Sequence, residues 1–270
     1  MNKSIRNLLI IFISFGVYYF LDESFFAVLR SWFVNQIGHL GLSHFLTYTI
    51  LGIPLFIGCY LIDFKMNVLE KLGLKASVIR AFLLALLFTL PMFVGYGIVF
   101  EFNTEFTIDR FLLAVLAAGF FEELYFRGFL FGLPFKFTRL GFIPSVIIGA
   151  LLFGAVHLYQ SADFGQSVGI FAVTFMGAVL FAWVYVEWKF NLWVPIFLHM
   201  LMNLSWDLFS VGENALGGVY SNVFRAITIA VVIIFTLMYK RKKGLKISVN
   251  RSNLWMKKPE TNRSLKENIE

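Results

Sequence analysis

Eight long apolar blocks, separated by short polar segments, divide this chain. They lie near residues 5–21, 40–62, 79–99, 111–133, 143–159, 167–187, 191–209 and 219–239. A helix needs about 20 predominantly apolar residues to cross roughly 30 Å of hydrocarbon. The blocks at 5–21 and 143–159 are the shortest, and the other six reach or approach that length. The pattern predicts an all-α fold, a polytopic transmembrane helical bundle of about eight spans. One block breaks its own rule. Ala118–Phe131 reads AGFFEELYFRGFLF, which sets two glutamates and an arginine in the middle of an apolar run.

Composition agrees with a bilayer as solvent. Of 270 residues, 59% are hydrophobic and 14% charged, against about 45–50% apolar and about 25% charged in soluble domains. Charge then orients the bundle. The formal net charge is +7, and the segment Lys240–Glu270 holds all of it, beginning with the run KRKK. Basic residues directly after the last span mark the cytoplasmic side. Lys3, Arg6, Lys65, Lys71, Lys75, Lys136 and Arg139 fall on that same side when eight spans are threaded, and the acidic loop 100–110 falls on the other. Both termini are therefore expected in the cytoplasm. The basic tail is an orientation signal rather than a nucleic-acid footprint, so the expected surroundings are lipid and no nucleic acid.

The chain divides into a transmembrane domain, 1–239, and a basic cytoplasmic tail, 240–270, expected to be largely disordered. The N-terminus has a basic start and an apolar stretch but no small-residue cleavage site, so a retained anchor is expected. Cys59 is the only cysteine, which excludes a disulfide framework and a cysteine-based metal site.

Ionisable groups inside a bilayer are rare, face the bundle interior and are functional candidates. Here they are Glu122, Glu123, Arg127, His157 and His199, joined by Asn203. Asp207, Arg225 and His44 lie near predicted ends and are assigned to the interface, where long side chains snorkel. Helix residues four apart share a face, so Glu123 pairs with Arg127. Glu122 has no basic residue at the third or fourth position beyond it, where Tyr125 and Phe126 stand. It is left as a carboxylate without a partner on its own helix, which is what a general base requires. His157 follows Phe153 by one turn, and His199 and Asn203 lie four apart on one face. Each alone reads as a satisfied interior residue. Together, in separate spans, they predict a convergent polar site, because every isolated polar group in lipid calls for a partner.

These residues carry a resemblance. EExxxR (Glu122 to Arg127), FxxxH (Phe153 to His157) and HxxxN (His199 to Asn203) occur in successive apolar helices over about 111–209. The pattern resembles the CPBP intramembrane proteases, the CAAX-protease and bacteriocin-processing family that includes the type II CAAX prenyl endopeptidases. The resemblance implies a hydrolase, an endopeptidase with a conical cavity open to membrane and cytoplasm that cuts peptides or proteins, lipidated or membrane-embedded. It implies Glu122 as the base that activates water, His157 as its partner, and His199 with Asn203 as donors to the oxyanion. Glu123, Arg127 and Phe153 would support them.

No cofactor is expected under this reading. The alternative is Zn²⁺ held by Glu122, His157 and His199, two imidazoles and a carboxylate with water in the fourth position, although no HExxH helix is present. A proton-coupled transporter would use similar residues, but no inverted repeat is visible. A non-catalytic membrane protein acting in peptide immunity is the third reading. Dense phenylalanine and a tail rich in Lys and Asn point to a bacterial cell membrane.

Overall fold

The computed structural model describes residues 2–257, and among these it is helical throughout, with one isolated antiparallel bridge between Leu140 and Met256. The main helices are α1 (Lys3–Ile37), α2 (Leu40–Leu51), α3 (Ile53–Ile62), α4 (Val78–Val99), α5 (Phe111–Phe131), α6 (Gly132–Phe137), α7 (Phe142–Val156), α8 (Phe164–Glu187), α9 (Trp193–Leu208) and α10 (Val219–Lys242). Every predicted block is helical. Six helical stretches among the described residues are long and apolar enough to cross a membrane: Lys3–Ile37, Leu40–Ile62, Val78–Val99, Phe142–Gln160, Phe164–Glu187 and Val219–Lys242. The expected eight spans are thus supported as six. The remaining two blocks carry the polar motifs: α5 holds three charged side chains, and α9 has only 16 residues, about 24 Å at 1.5 Å per residue.

Two boundaries differ from the sequence reading for identifiable reasons. The first helix does not stop near residue 21 but runs 35 residues to Ile37, about 52 Å, well beyond a bilayer's hydrocarbon. It ends where Gly38 takes the left-handed conformation (φ 72°) and its N–H bonds the Val34 carbonyl. The block 40–62 is broken at Gly52. Pro54 opens α3, where its missing N–H is harmless, and a Cβ at Gly52 would overlap the Tyr125 hydroxyl. That hydroxyl donates to the Tyr48 carbonyl, 2.7 Å away, at the break.

Helix α5 is the axis of the bundle. It contacts α1, α2, α3, α6, α7, α8 and α9, while α9 also lies along α4 and α10 packs on α4. At one end the N-terminal segment is tied to the connections that follow α3 and α6. The Ser4 hydroxyl accepts from Arg139 N–H (3.0 Å), Asn7 donates to the Phe137 carbonyl (3.1 Å) and Arg6 to the Ile62 carbonyl (3.2 Å).

The expected disordered tail is corrected over 244–257. Buried Glu187, at the end of α8, takes Lys240 and the backbone N–H groups of Ser248 (3.0 Å) and Val249 (2.9 Å). Lys257 donates to the Phe135 carbonyl, and Phe142 N–H donates to the Asn253 carbonyl at 2.8 Å. Low hydrophobicity did not matter here, because the polar groups at helix ends need partners and the tail's lysine and backbone supply them. The rest of the predicted tail, 258–270, lies outside the described residues.

Candidate active site

The site begins with an unusual helix. Helix α5 is wound as a π-helix over 21 residues, and at its end Gly132 N–H bonds the Arg127 carbonyl five residues back. Such winding normally occurs as single turns, often at functional sites. Its two halves differ in burial. Up to Phe120 the residues are half-buried or alternate with buried ones, whereas from Glu123 to Phe131 all are buried. Gly119 sits at the change. A Cβ there would come 2.5 Å from Met200 Cγ and 3.0 Å from Met200 N, so only glycine lets α9 lie this close to α5. Met200 follows His199, and the close approach carries His199 onto Glu123.

The three motifs converge. Glu122 Oε2 lies 4.0 Å from His157 Nε2 and 4.0 Å from His199 Nε2, and it has no hydrogen-bond partner. Both rings are held from behind. His157 Nδ1 is 2.6 Å from the Phe153 carbonyl, and His199 Nδ1 is 2.8 Å from Glu123 Oε1. A carbonyl only accepts, so His157 carries a proton on Nδ1 and turns Nε2 toward Glu122. The FxxxH spacing therefore has a local cause: the backbone oxygen one turn back fixes the ring. The Phe153 ring also packs on His157 (centroids 4.5 Å apart) and carries the Arg127 guanidinium on its face at 4.0 Å.

Glu123 and Arg127 pair as the helical spacing predicts. Oε1 is 3.2 Å from Nη1, with side chains 0% and 2% exposed. The pair is not closed, however. Glu123 Oε2 and Arg127 Nε and Nη1 make no hydrogen bond, the Nη1 contact being close but poorly directed. Glu123 also has a second task that the sequence reading did not give it, accepting from His199 across 76 residues of chain. Asn203 donates one amide proton to the Ala114 carbonyl at 2.8 Å, which leaves it one more.

Glu122, Phe153, His157, His199 and Asn203 all line a cavity of about 1150 Å³. Much of its wall is apolar, including Val179, Leu180 and Phe181 of α8 and Ile229 and Ile233 of α10. Two residues assigned to the interface also line this cavity. Asp207 is buried and bidentate with Arg110, at 2.8 and 3.2 Å. Arg225 lies over the Trp206 ring at 4.6 Å, with Nη1 buried and unbonded. His44, the third residue assigned to the interface, packs edge-on to Phe26 and Tyr48, with centroids 5.0 Å apart in each case. No local signal marks these residues, because their partners are mostly distant in sequence.

Among the described residues no group of three His, Cys, Asp or Glu side chains has the spacing of a metal site. The donor types suit zinc, but ligands about 2.0–2.2 Å from a tetrahedral ion stand about 3.3–3.6 Å apart, closer than the two 4.0 Å separations here.

Residues 104–205 match the family model described as type II CAAX prenyl endopeptidase, Rce1-like. That match relates this chain to the CAAX-protease family. It runs from just before α5 to two residues beyond Asn203, and so takes in all three motifs. No curated protein and no solved structure matches the chain. With its apolar helices, the CAAX-protease relation makes this an integral, multi-pass membrane protein.

Proposed function

We propose that the chain hydrolyses peptide bonds of membrane-associated or lipidated peptides and proteins, with Glu122 as general base. One observation carries this reading. A carboxylate oxygen without a partner faces two anchored imidazole nitrogens inside a cavity large enough for a peptide. A polar contact near 4 Å suits a bridging water, and a water about 2.8 Å from each of two such atoms fits the spacing.

In the proposed reaction Glu122 takes a proton from that water while the oxygen attacks the scissile carbonyl carbon. His157 Nε2, unprotonated in the neutral ring, accepts a hydrogen bond from the water's other hydrogen and so aims the oxygen's lone pair. The carbonyl oxygen becomes an oxyanion and accepts from His199 Nε2 and from the remaining amide proton of Asn203. Donation by Nε2 requires His199 to be doubly protonated, with Glu123 accepting from Nδ1 and balancing its charge. Glu122 then returns its proton to the departing amine as the C–N bond breaks. Arg127 holds Glu123, so the second carboxylate positions a histidine and the first reacts.

The zinc reading has its own support. Metal-bound histidines are held through their other nitrogen by a carbonyl or carboxylate, as both rings are here. The metal-free reading is favoured by the wide spacing and by Asn203, since an amide is a poor zinc ligand and a good donor. The experiment uses purified protein in detergent with quenched fluorogenic peptides, with and without a C-terminal prenyl group. Cleavage that survives exhaustive chelation is expected. Stoichiometric zinc, with activity lost on chelation and restored only by metal, would turn Glu122, His157 and His199 into ligands. Absence of cleavage of any peptide, with the protein folded, would favour the transporter or immunity readings.

A further inference from the structure

Three arginines line the cavity that holds Glu122: Arg110, Arg127 and Arg225. A guanidinium is always charged, and a charge taken out of water calls for a counter-charge. Two of the three find one within the protein. Arg110 is bidentate with Asp207, and Arg127 faces Glu123. Arg225 does not. Among the described residues it is in no ion pair and donates to no carboxylate or carbonyl, and its Nη1 is buried without a bond. The other carboxylates of the cavity wall stand elsewhere: Glu122 faces the two histidines, and Glu213 is exposed.

The side chain is nonetheless held in place. Arg225 stands on α10, and its guanidinium carbon lies 4.6 Å from the centre of the Trp206 ring, a cation–π contact. The indole is itself pinned, because Nε1 donates to the Gly212 carbonyl at 2.9 Å. Tyr96 of α4 packs edge-on to Trp206 with centroids 6.0 Å apart, and it is the polar neighbour of the guanidinium. Its hydroxyl donates to the Ser221 carbonyl at 3.0 Å, so toward Arg225 it has lone pairs to offer and no charge. The result is a cation in a fixed aromatic frame of neutral groups, part-exposed on the wall of the cavity. Ionisable groups placed this way in a membrane-spanning helix mark substrate paths.

We propose that Arg225, backed by Trp206, is a carboxylate-binding subsite of the cavity, and that a carboxylate of the peptide substrate is its missing counter-charge. The planar fork of N–H donors matches a carboxylate in geometry as well as in sign. Position along α9 sets the reach. His199, Asn203 and Trp206 share one face of that helix and all line the cavity, and Trp206 lies about 10 Å along the axis from His199 at 1.5 Å per residue. An extended peptide covers that distance in about three residues, so the carboxylate bound here belongs to a residue remote from the reacting bond. The proposal rests on the hydrolase reading and deepens it, by giving the substrate an acidic side chain or a free C-terminus near the cut. Trp206 and Arg225 lie beyond residues 104–205, which match the family model, and neither belongs to the three motifs.

The test reads binding without cleavage, so it separates the subsite from the reaction. Full-length protein carrying Glu122→Gln is titrated in detergent at pH 7 with three apolar peptides, each bearing a neutral fluorophore on its N-terminus, and anisotropy is followed. One peptide ends in a free carboxylate, one in an amide, and one in an amidated glutamate, so the first and third arms distinguish the two sources of the charge. A hydrogen-bonded charge pair is worth about tenfold or more in affinity. At least one acidic peptide should therefore bind about tenfold tighter than the neutral amide. Arg225→Met should erase that difference and leave the affinity for the neutral amide unchanged, whereas Arg225→Lys should keep part of it. Equal binding of all three peptides where Arg225 is intact, or a preference that survives Arg225→Met, overturns the subsite and leaves the hydrolase reading standing. The comparison with Arg225 intact is decisive even should Arg225→Met fail to fold. Failure of the folded protein to bind any of the three would overturn the subsite and count against the hydrolase reading as well.

Discussion

Among the described residues two carboxylate–cation pairs have both side chains buried, and they are finished differently. Glu187 and Lys240, where the tail folds back on the bundle, satisfy each other and their surroundings: the carboxylate also takes two backbone N–H groups, and the ammonium also reaches Ser248 Oγ (2.8 Å) and the Lys246 carbonyl (3.2 Å). Glu123 and Arg127, beside the cavity, leave one carboxylate oxygen and two guanidinium nitrogens unbonded, with another carboxylate oxygen bare on neighbouring Glu122. A buried polar group left unmatched costs about 1–3 kcal/mol or more, so the unfinished cluster persists only because the packing around it holds it. Under the proposed reaction, saturation marks the pair that builds the fold, and incompleteness marks the one beside the reacting water.

Several substitutions would break or sharpen that contrast. The largest effects on stability come from removing one member of a buried pair, which commonly costs about 3–5 kcal/mol. Glu187→Gln and Arg127→Ala should both destabilise the protein by that order, read as a lowered melting temperature in detergent. Replacing both partners separates the two clusters. Glu187→Gln with Lys240→Met should recover stability and keep activity, whereas Glu123→Gln with Arg127→Met should recover stability and stay impaired, because His199 loses its carboxylate. Equal recovery of activity in both double variants would erase the distinction. Next in size, Asn203→Ala should slow turnover about 10²–10³-fold, the usual effect of losing one oxyanion donor, with a melting curve close to wild type. An unchanged rate would remove Asn203 from the site.

The smallest effect concerns pH where the tail packs on α6 and the start of α7. Burial pushes the Lys257 ammonium down to about 7, against about 10.4 for a free lysine. A lysine lowered on folding binds fewer protons in the native state, so stability rises with pH between those values and is lost as pH falls toward 7. Hydrogen exchange at the Lys257 and Phe142 amides should slow between pH 7 and 9, once corrected for intrinsic exchange. Lys257→Met should abolish that trend.

Much of this was legible in the chain. All eight apolar blocks are helical, because long apolar runs leave the backbone no partner in lipid except itself. The Glu123–Arg127 contact followed from spacing alone, and the singling out of Glu122 followed from its missing partner. What could not be read was tertiary. Glu123 meeting His199 depends on Gly119 admitting Met200, and nothing near Arg225 or Asp207 in sequence reveals that one lines the cavity and the other pairs with Arg110. The tail misled for a related reason. Its composition is that of a disordered segment, but its value to the fold lies in donors for distant acceptors, the Phe135 carbonyl in α6 and the Glu187 carboxylate at the end of α8.

The central claim is that Glu122 reacts rather than binds or builds. It is tested most directly by measuring peptide affinity, single-turnover cleavage and melting temperature on one preparation each of wild type, Glu122→Gln and Glu123→Gln. General base catalysis contributes about 10²–10⁴-fold. Glu122→Gln should therefore lose cleavage toward the upper end of that range, while melting is unchanged and peptide affinity stays close to wild type. Cleavage retained by Glu122→Gln, beside a folded and inactive Glu123→Gln, would contradict the account and exchange the roles of the two carboxylates.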